Sequence, residues 1–416
     1  MSIRMGIGLS AVTACTFDAS GAGTAGSSGG TSEAASTSTG QPLETSSVDS
    51  TGHEPSGGGE TAAASSTTTL EPATSSSDTS SSGGEPTCDA SPPWWDPAFT
   101  RRRPVMVNAA SVTEALTSVP IRLRLDAARI DYAAVQDGGA DLRFVDERST
   151  ELSYEVEQWD ESGDSEVWLR LPLVPAGGMP TVWMYYGNAA APAVSDPAGV
   201  WDGDFVSVHH LADLRDATAG GHDGFGSNLP ADAEGRIGRG RAFDGSNDQI
   251  ELPQEADFDF EDALTVEAWA RVTSFTVDWQ AIVTKGDDTW RLHRQLNTPF
   301  VGFGSDTALT NDNLSGITPI DDGDWHHVAI VYGDDTKRIY VDGQLDVSEL
   351  YFGPLFVSDA PVVLGSNADV TGRFFHGALD EVRISRVARS TAWIALQARV
   401  TADASIVSVG DEETCP

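Results

Sequence analysis

The chain has 416 residues, and its 25 lysines and arginines against 63 aspartates and glutamates give a net charge of −38. So large a negative charge repels nucleic acids and anionic lipid surfaces, which excludes both as partners of the protein surface. At about 100 to 200 residues per domain, the length allows two or three domains.

The first residues, MSIRMGIGLSAVTAC, carry one positive charge at Arg4 and a short apolar run that ends at Cys15. This segment resembles a bacterial lipoprotein signal, and the resemblance implies cleavage before Cys15 and acylation of that cysteine. We therefore expect residues 1–15 to be a signal peptide, and the protein to be exported and lipid-anchored at the outer membrane or cell surface. Because Gly6 and Gly8 interrupt the apolar run, an ordinary cleaved signal or a misplaced start codon are the alternatives.

Residues 16–87 form a low-complexity segment in which 53 of 72 residues are Ser, Thr, Gly or Ala. Such a segment buries too little apolar surface to offset the entropy of ordering it, which predicts a disordered linker. All eleven tryptophans follow it, so the folded part is expected between about residue 88 and the end of the chain.

Two cysteines, Cys88 and Cys415, lie at the two margins of this folded part. In an exported protein, cysteines so placed favour a disulfide, and two free thiols are the alternative.

Residues 88–192 contain short runs of alternating apolar and polar residues, such as VWLRL at 167–171, which predict strands. The order of the pieces RRRPVMV, DLRFVDE, LSYEVEQW and VWMYYGN resembles a domain of unknown function that recurs in bacterial surface proteins. The resemblance covers about residues 93–192 and implies a β-sandwich without an established chemistry.

Residues 193–416 carry a second pattern made of five ordered motifs: FDGSNDQIELP, LTVEAWARV, DGDWHHVAIVY, KRIYVDGQL and FHGALDEVRISRVARS. This order resembles the concanavalin A-like lectin/glucanase family, in its laminin-G-like jelly-roll branch, over about residues 201–390. The chain is thus expected to be all-β, with two β-sandwich domains of which the second is a jelly roll. Independently of the resemblance, residues 327–332 and 338–341 predict a hairpin, and Ser390 predicts the N-cap of a helix over 391–399.

Catalytic members of the glucanase branch need two carboxylates about 5–5.5 Å apart across the scissile bond. The alternating strand pattern that supplies them is missing here. The nearest candidates are Asp257, Asp259 and Glu261, expected in a loop, and Glu155 and Glu157, expected on a solvent-facing strand surface. No catalytic residue is predicted, and a glycoside hydrolase is the least favoured function.

Two histidine pairs, His209-His210 and His326-His327, do not predict zinc sites, because adjacent residues of a strand point to opposite faces. Calcium is the expected ion, since the resemblance implies one and calcium binds carboxylate and carbonyl oxygens. Its predicted ligands are Asp244 and Asp380. The alternative is that such residues only form turns through bonds to their own backbone.

We expect the second domain to be a non-catalytic recognition module that binds carbohydrate or another cell-surface component. Sugar binding needs exposed aromatic rings, and the candidates are Trp279, Trp290 and Tyr351, which lie in irregular segments. The alternative is a structural or adhesive protein that binds a protein partner.

Overall fold

The structure, a computed structural model, describes Cys88 and residues 91–306 and 311–415. The predicted signal peptide with Cys15 and the predicted linker 16–87 lie outside these residues and stay predictions. Where the chain is described, it is mostly β with several antiparallel sheets, which confirms the predicted all-β class.

Twenty-three strands and two α-helices make up the described fold. In chain order they are β1 (Arg101–Val107), β2 (Leu116–Leu125), β3 (Arg143–Asp146), β4 (Glu151–Leu152), β5 (Tyr154–Gln158), β6 (Ser165–Val174), β7 (Thr181–Tyr186), α1 (Pro197–Val200), β8 (Phe205–His209), β9 (Ala231–Glu234), β10 (Arg239–Asp244), β11 (Ile250–Leu252), β12 (Leu264–Val272), β13 (Ala281–Lys285), β14 (Trp290–Arg294), β15 (Phe300–Asp306), β16 (Asn311–Pro319), β17 (Trp325–Gly333), β18 (Thr336–Val341), β19 (Gln344–Leu350), β20 (Val362–Leu364), β21 (His376–Ser385), α2 (Thr391–Ala402), β22 (Val407–Val409) and β23 (Glu413–Thr414).

The strands form four sheets. Sheet 1 has the order β22-β1-β7-β3-β4 with β23 also paired to β1, and sheet 2 has the order β2-β6-β5. Sheet 3 has the order β19-β18-β17-β12-β21-β10-β9 with β8 also paired to β21, and sheet 4 has the order β11-β20-β13-β14-β15-β16. Sheets 1 and 2 make the first sandwich, and sheets 3 and 4 make the second.

Two large apolar cores hold these sheets together. One lies between sheets 3 and 4, where Ile330 of sheet 3 and Leu292 of sheet 4 are both fully buried. The other fills the first sandwich and continues to Val331 on the far face of sheet 3 and to Trp393 of α2. Because successive residues of β17 point to opposite faces, sheet 3 contributes to both cores. The two sandwiches therefore share a continuous apolar contact.

The last strands of the chain return to sheet 1. Strands β22 and β23 both pair with β1, and the disulfide predicted between Cys88 and Cys415 is formed beside them. The backbone N–H of Cys415 also donates to the carbonyl of Thr100. The domain bounds 88–192 and 193–416 stay predictions, although residues 407–414 join the first sandwich.

The local predictions for the second sandwich are confirmed. The hairpin forms from β17 and β18, and its turn residues Asp334 and Asp335 have φ of 52° and 49°, as a type I′ turn requires. The side chain of Ser390 accepts from the backbone N–H of Trp393 and caps α2, which runs to Ala402. Within the described ranges, none of the helices has the length and apolar character needed to span a membrane.

Candidate functional site

The outer face of sheet 4 carries charged and polar side chains. In β14, Leu292 points into the core, so Arg291 and His293 point outward. We call this outward surface the polar face; it consists of Trp279, Asp287, Arg291, His293, Gln295, Asn313 and Arg373.

Asp287 is the ionic centre of the polar face. It accepts a hydrogen bond of 2.7 Å from the Nη1 of Arg291 and is also paired with the guanidinium of Arg373. Burial acts to raise the pKa of Asp287, but the two guanidinium groups hold it below its ordinary value. The Nη2 of Arg291 donates to the Oδ1 of Asn313 at 3.2 Å. One carboxylate thus serves two arginines.

Two glycines of β15 make room for side chains that lie flat on the sheet. A Cβ on Gly304 would be 2.5 Å from the Nε of Arg291, and a Cβ on Gly302 would be 2.5 Å from the Oε1 of Gln295. Both of these polar atoms are buried, and neither has a hydrogen-bond partner among the described residues. Buried polar groups are ordinarily hydrogen-bonded. The polar face therefore presents an unused donor and an unused acceptor.

An aromatic ring borders these groups. Trp279 is half-buried, has a left-handed φ of 60°, and its ring lies 5.3 Å from the ring of His293. Burial lowers the pKa of His293 to about 3, with the charge of Arg291 acting in the same direction, so the imidazole is neutral at ordinary pH.

Two open cavities meet at Asp287. The smaller has a volume of about 220 Å³, and its lining consists of Trp279, Asp287, Arg291, Asn313 and Arg373. The larger is a groove of about 860 Å³ along the loops after β13 and β20, and Asp288, Asp359 and Asp369 are among its lining residues. Its volume falls within the range of about 300–1,000 Å³ typical of ligand sites.

A second charged region lies between the sandwiches. We call it the carboxylate–histidine cluster; it consists of Glu155, Glu157, His210, Glu381 and Arg383. The Nδ1 of His210 lies 2.7 Å from the Oε1 of Glu381 and 3.6 Å from the Oε2 of Glu157, and its Nε2 lies 3.3 Å from the Oε2 of Glu155. Glu157, His210 and Glu381 can together hold a metal ion, since one ligand atom of each lies within 4.8 Å of the other two.

Burial and charge act against each other in this cluster. Burial acts to lower the pKa of His210, but the carboxylates of Glu381, Glu155 and Glu157 raise it well above its ordinary value. Burial raises the pKa of Glu157 to about 8, although the positive charge of His210 opposes the shift. Burial acts to raise the pKa of Glu381 as well, yet His210 and Arg383 lower it.

The comparisons with known proteins agree with this fold. Residues 244–395 match the model of the concanavalin A-like lectin/glucanases superfamily. They form a concanavalin A-like domain. Residues 138–218 match a domain of unknown function (DUF2341), so the two resemblances found in the sequence are confirmed. No curated protein matches the chain.

Solved structures also resemble the chain. Domain 4 of an extracellular arabinanase from Geobacillus stearothermophilus, in complex with arabinotriose, is 21% identical over 47% of this chain and 98% of its own, with a TM-score of 0.41. The binding domain of Paraclostridial mosquitocidal protein 1 is 12% identical over 47% of this chain and 52% of its own, with a TM-score of 0.41. The binding domain of botulinum neurotoxin DC in complex with SialylT is 11% identical over 48% of this chain and 52% of its own, with a TM-score of 0.38. The chain thus spans about half of each toxin binding domain.

The predicted calcium ligands do not meet in the concanavalin A-like domain. Asp244 lies opposite His376 in the pairing of β10 with β21, and Asp380 is four residues further along β21, about 13 Å away at the usual rise per residue. Asp244 accepts from the backbone N–H of Ser246, as the turn alternative predicted. The carboxylate of Asp380 accepts three backbone N–H groups, from Arg236, Ile237 and Glu381. These two aspartates therefore do not form a calcium site.

Of the three predicted ligand-binding aromatics, the structure places Trp279 on the polar face. The expectation that Trp290 and Tyr351 lie at an exposed edge is wrong, because they are only 1% and 4% exposed. Trp290 points into the core of the concanavalin A-like domain and donates from its indole to the carbonyl of Phe258. The sequence analysis did not predict a role for Arg291 and Gln295. Gly302 and Gly304, at alternate positions of the neighbouring strand, are the sequence feature that indicates side chains lying over them.

The carboxylates nearest to a hydrolase pattern do not form a catalytic pair among the described residues. The expectation that Glu155 and Glu157 face solvent is wrong, because their side chains are 9% and 3% exposed in the carboxylate–histidine cluster. Asp257 lies 3.0 Å from the Nε2 of His222, and Asp259 lies 3.1 Å from the Nζ of Lys285. These contacts give four of the five carboxylates ionic partners within the fold, and the fifth, Glu261, is exposed.

Proposed function

We propose that the protein is an exported, lipid-anchored surface protein whose concanavalin A-like domain binds carbohydrate without catalysis. The site is the polar face of sheet 4. One observation carries the proposal: unused buried polar atoms of Arg291 and Gln295 lie on the same face as the half-buried ring of Trp279. A sugar offers hydroxyl groups for the first two and an apolar ring face for the third.

The arrangement of charge supports binding of a neutral or acidic sugar. Arg291 and Arg373 share the single carboxylate of Asp287 and both line the smaller cavity, and each guanidinium has more N–H groups than this carboxylate accepts. Planar guanidinium groups donate to hydroxyl and carboxylate oxygens in fixed geometry. The acidic groove beyond Asp287 favours a neutral chain where the ligand extends past the arginines.

The test is binding of the full chain to a broad panel of glycans and polysaccharides, with millimolar calcium and with a chelator. We expect specific binding in both arms, because Asp244 and Asp380 do not assemble a calcium site. In Trp279→Ala the affinity should fall about tenfold or more, which corresponds to about 1.4 kcal/mol. Phe352→Ala is the matched control, since Phe352 is 70% exposed and outside both cavities. Absence of binding by a folded chain contradicts the proposal.

A surface protein that binds a protein partner is the second candidate. Strands β16 and β19 contact each other, and exposed apolar side chains lie on them and directly after them: Ile317, Leu350 and Phe352, which are 64%, 65% and 70% exposed. Leu350 and Phe352 are two residues apart, and exposed apolar residues that lie together are typical of contact surfaces. If the glycan panel is negative and the Phe352→Ala variant loses adhesion to cells while Trp279→Ala keeps it, this second function replaces the first.

The lipid anchor is tested separately. We expect the protein to partition with membranes in its host and the Cys15→Ala variant to become free of them. A variant that stays with the membrane fraction contradicts acylation of Cys15.

A further inference from the structure

We propose that the carboxylate–histidine cluster is a binding site for a divalent transition metal ion, with Zn²⁺ as the leading candidate. The ligands are the Nδ1 of His210 and one carboxylate oxygen each from Glu157 and Glu381. The inference does not depend on carbohydrate binding, because the cluster lies between the two sandwiches and not on the polar face.

A divalent cation would balance the charge of the cluster. Glu155, Glu157 and Glu381 are three carboxylates, and among the described residues Arg383 is the arginine paired with them, its Nη2 lying 2.5 Å from the Oε2 of Glu381. The neighbouring carboxylate of Asp380 is already held by three backbone N–H groups. In the state that binds a metal ion, with His210 neutral and the three glutamates ionised, the cluster carries two excess negative charges, which one divalent cation balances. Buried charges require such compensation.

The groups behind the three ligands are arranged as in known metal centres. The Nε2 of His210 faces the carboxylate of Glu155, which in turn accepts from the indole N–H of Trp201 at 2.8 Å. The indole N–H of Trp168 donates to the Oε2 of Glu157 at 2.7 Å. Metal-bound histidines ordinarily direct their second nitrogen to a carboxylate, and metal-bound carboxylates are themselves hydrogen-bonded. These bonds fix the ligand atoms before an ion arrives.

A local irregularity of β21 directs Glu381 into the cluster. The pairing of β12 with β21 is interrupted by a β-bulge, and Glu381 has a left-handed φ of 49°, a conformation uncommon for a residue with a side chain. Bulges re-aim side chains. As a result the Glu381 carboxylate points toward His210, while that of its neighbour Asp380 is taken up by backbone N–H groups.

The spacing suits a small ion with nitrogen and oxygen ligands. Bond lengths of about 2.0–2.2 Å place tetrahedral ligand atoms about 3.4 Å apart. The Nδ1 of His210 is 3.6 Å from the Oε2 of Glu157 and 2.7 Å from the Oε1 of Glu381, so of these two distances the second must widen, by less than about 1 Å. The imidazole ligand favours zinc over calcium, which prefers an all-oxygen set. The side chain of His210 is 10% exposed, which gives an ion access.

Metal binding would join the two sandwiches. Glu157 lies on β5 of sheet 2, Glu381 lies on β21 of sheet 3, and His210 directly follows β8 of sheet 3. An ion held by all three would fix sheet 2 to sheet 3, in addition to the apolar contact between the sandwiches. We assign the ion a structural role, because its ligands come from both sandwiches and their side chains are at most 10% exposed.

The experiment is metal titration of the full chain after dialysis against a chelator, in a Cys15→Ser background so that this thiol cannot bind metal. Co²⁺ serves as the spectroscopic probe and Zn²⁺ as the competitor, with Ca²⁺ in parallel. We expect one equivalent of Co²⁺ with the visible absorption of a low-coordinate site. Zn²⁺ should displace it and raise the melting temperature, and Ca²⁺ should do neither.

Variants locate the ion. His210→Asn and Glu157→Gln should abolish tight binding, and Glu155→Gln should weaken it about 10- to 100-fold, as outer-shell changes do. Glu157→Gln retains an oxygen for the Trp168 indole and guards against failure of the His210 variant to fold, which near-ultraviolet circular dichroism checks. His326→Asn is the matched control, because His326 also lies between two carboxylates, those of Asp322 and Asp342. Absence of Co²⁺ and Zn²⁺ binding, or binding that survives Glu157→Gln, overturns the proposal.

Discussion

The polar face and the carboxylate–histidine cluster both contain charged side chains in contact, but with opposite balances of charge. On the polar face two arginines share the carboxylate of Asp287. In the cluster three glutamates surround His210 and Arg383. An excess of donors favours a ligand rich in oxygen, whereas an excess of buried acceptors favours a cation. The two regions of one protein are therefore suited to different ligands.

The two regions also differ in how completely their polar atoms are used. The polar face leaves Arg291 Nε and Gln295 Oε1 without partners among the described residues and opens to two cavities. In the cluster, Trp168, Trp201 and Arg383 each donate to a glutamate. Substitution of a side chain in the cluster should therefore mainly lower the free energy of unfolding, whereas substitution on the polar face should mainly lower the affinity for ligand.

The largest expected effect is that of Arg383→Met. Arg383 is buried, donates to Glu381 and to the side chain of Gln397, and lies over the ring of Trp168 at 4.6 Å. Its removal leaves the charge of Glu381 buried without that partner, and breaking a buried pair in this way costs about 3–5 kcal/mol. We expect the free energy of unfolding to fall by that amount in denaturant titration.

Arg239→Met is the control for this prediction. Arg239 is paired with Asp232, but its side chain is 60% exposed and that of Asp232 is 51% exposed. Exposed pairs contribute about 0–1 kcal/mol, so this variant should unfold close to the parent protein. Equal losses in the two variants would show that burial does not distinguish the cluster from an ordinary surface pair.

Asp287→Asn should have an intermediate effect. The change leaves Arg291 and Arg373 without their shared carboxylate, but the side chain of Asp287 is 30% exposed, so water compensates part of the loss. We expect a loss of about 1–2 kcal/mol in the free energy of unfolding, together with weaker binding of glycan. Asp288→Asn, an exposed neighbour in the same groove, should change stability by less than about 0.5 kcal/mol. A fully stable Asp287→Asn protein would contradict the assigned role of this carboxylate.

The sequence predicted what local patterns determine. Alternation and turn chemistry predicted the β17–β18 hairpin, and a serine before an apolar run predicted the cap of α2. The irregular segment around Trp279 indicated a position near an edge or loop, and the structure places it on the polar face.

The sequence could not predict contacts made between distant segments. Glu155 and Glu157 alternate with apolar residues and so read as solvent-facing, because nothing in β5 indicates that the second sandwich covers them. The sequence predicts Asp380 as a metal ligand, whereas the structure brings its neighbour Glu381 to His210. The bulge that exchanges their directions depends on the pairing of β12 with β21, which one sequence does not reveal.

The smallest expected effect comes from His326, a half-buried histidine that lies between two carboxylates as His210 does, but whose carboxylate partners are exposed. Hydrogen bonds to Asp342 and Asp322 raise the pKa of His326 to about 9, although partial burial opposes the shift. Because the pKa is higher in the folded state, this pairing stabilises the protein fully below about pH 6.5, and the contribution is lost as the pH rises through about 9. Both aspartates are about half exposed, so solvent screening should keep the contribution under about 1 kcal/mol.

The measurement is the difference in unfolding free energy between the parent protein and His326→Gln, at about pH 6 and about pH 10. Groups elsewhere titrate equally in both proteins, so the difference isolates His326. We expect a small difference at the lower pH that disappears at the higher one. A difference above about 3 kcal/mol would mean that a histidine paired with exposed carboxylates gains as much as one paired with buried carboxylates. Solvent exposure of the carboxylates would then not weaken their interaction with a histidine. The burial of the carboxylates around His210 would in that case give no additional stabilisation over the pairing at His326.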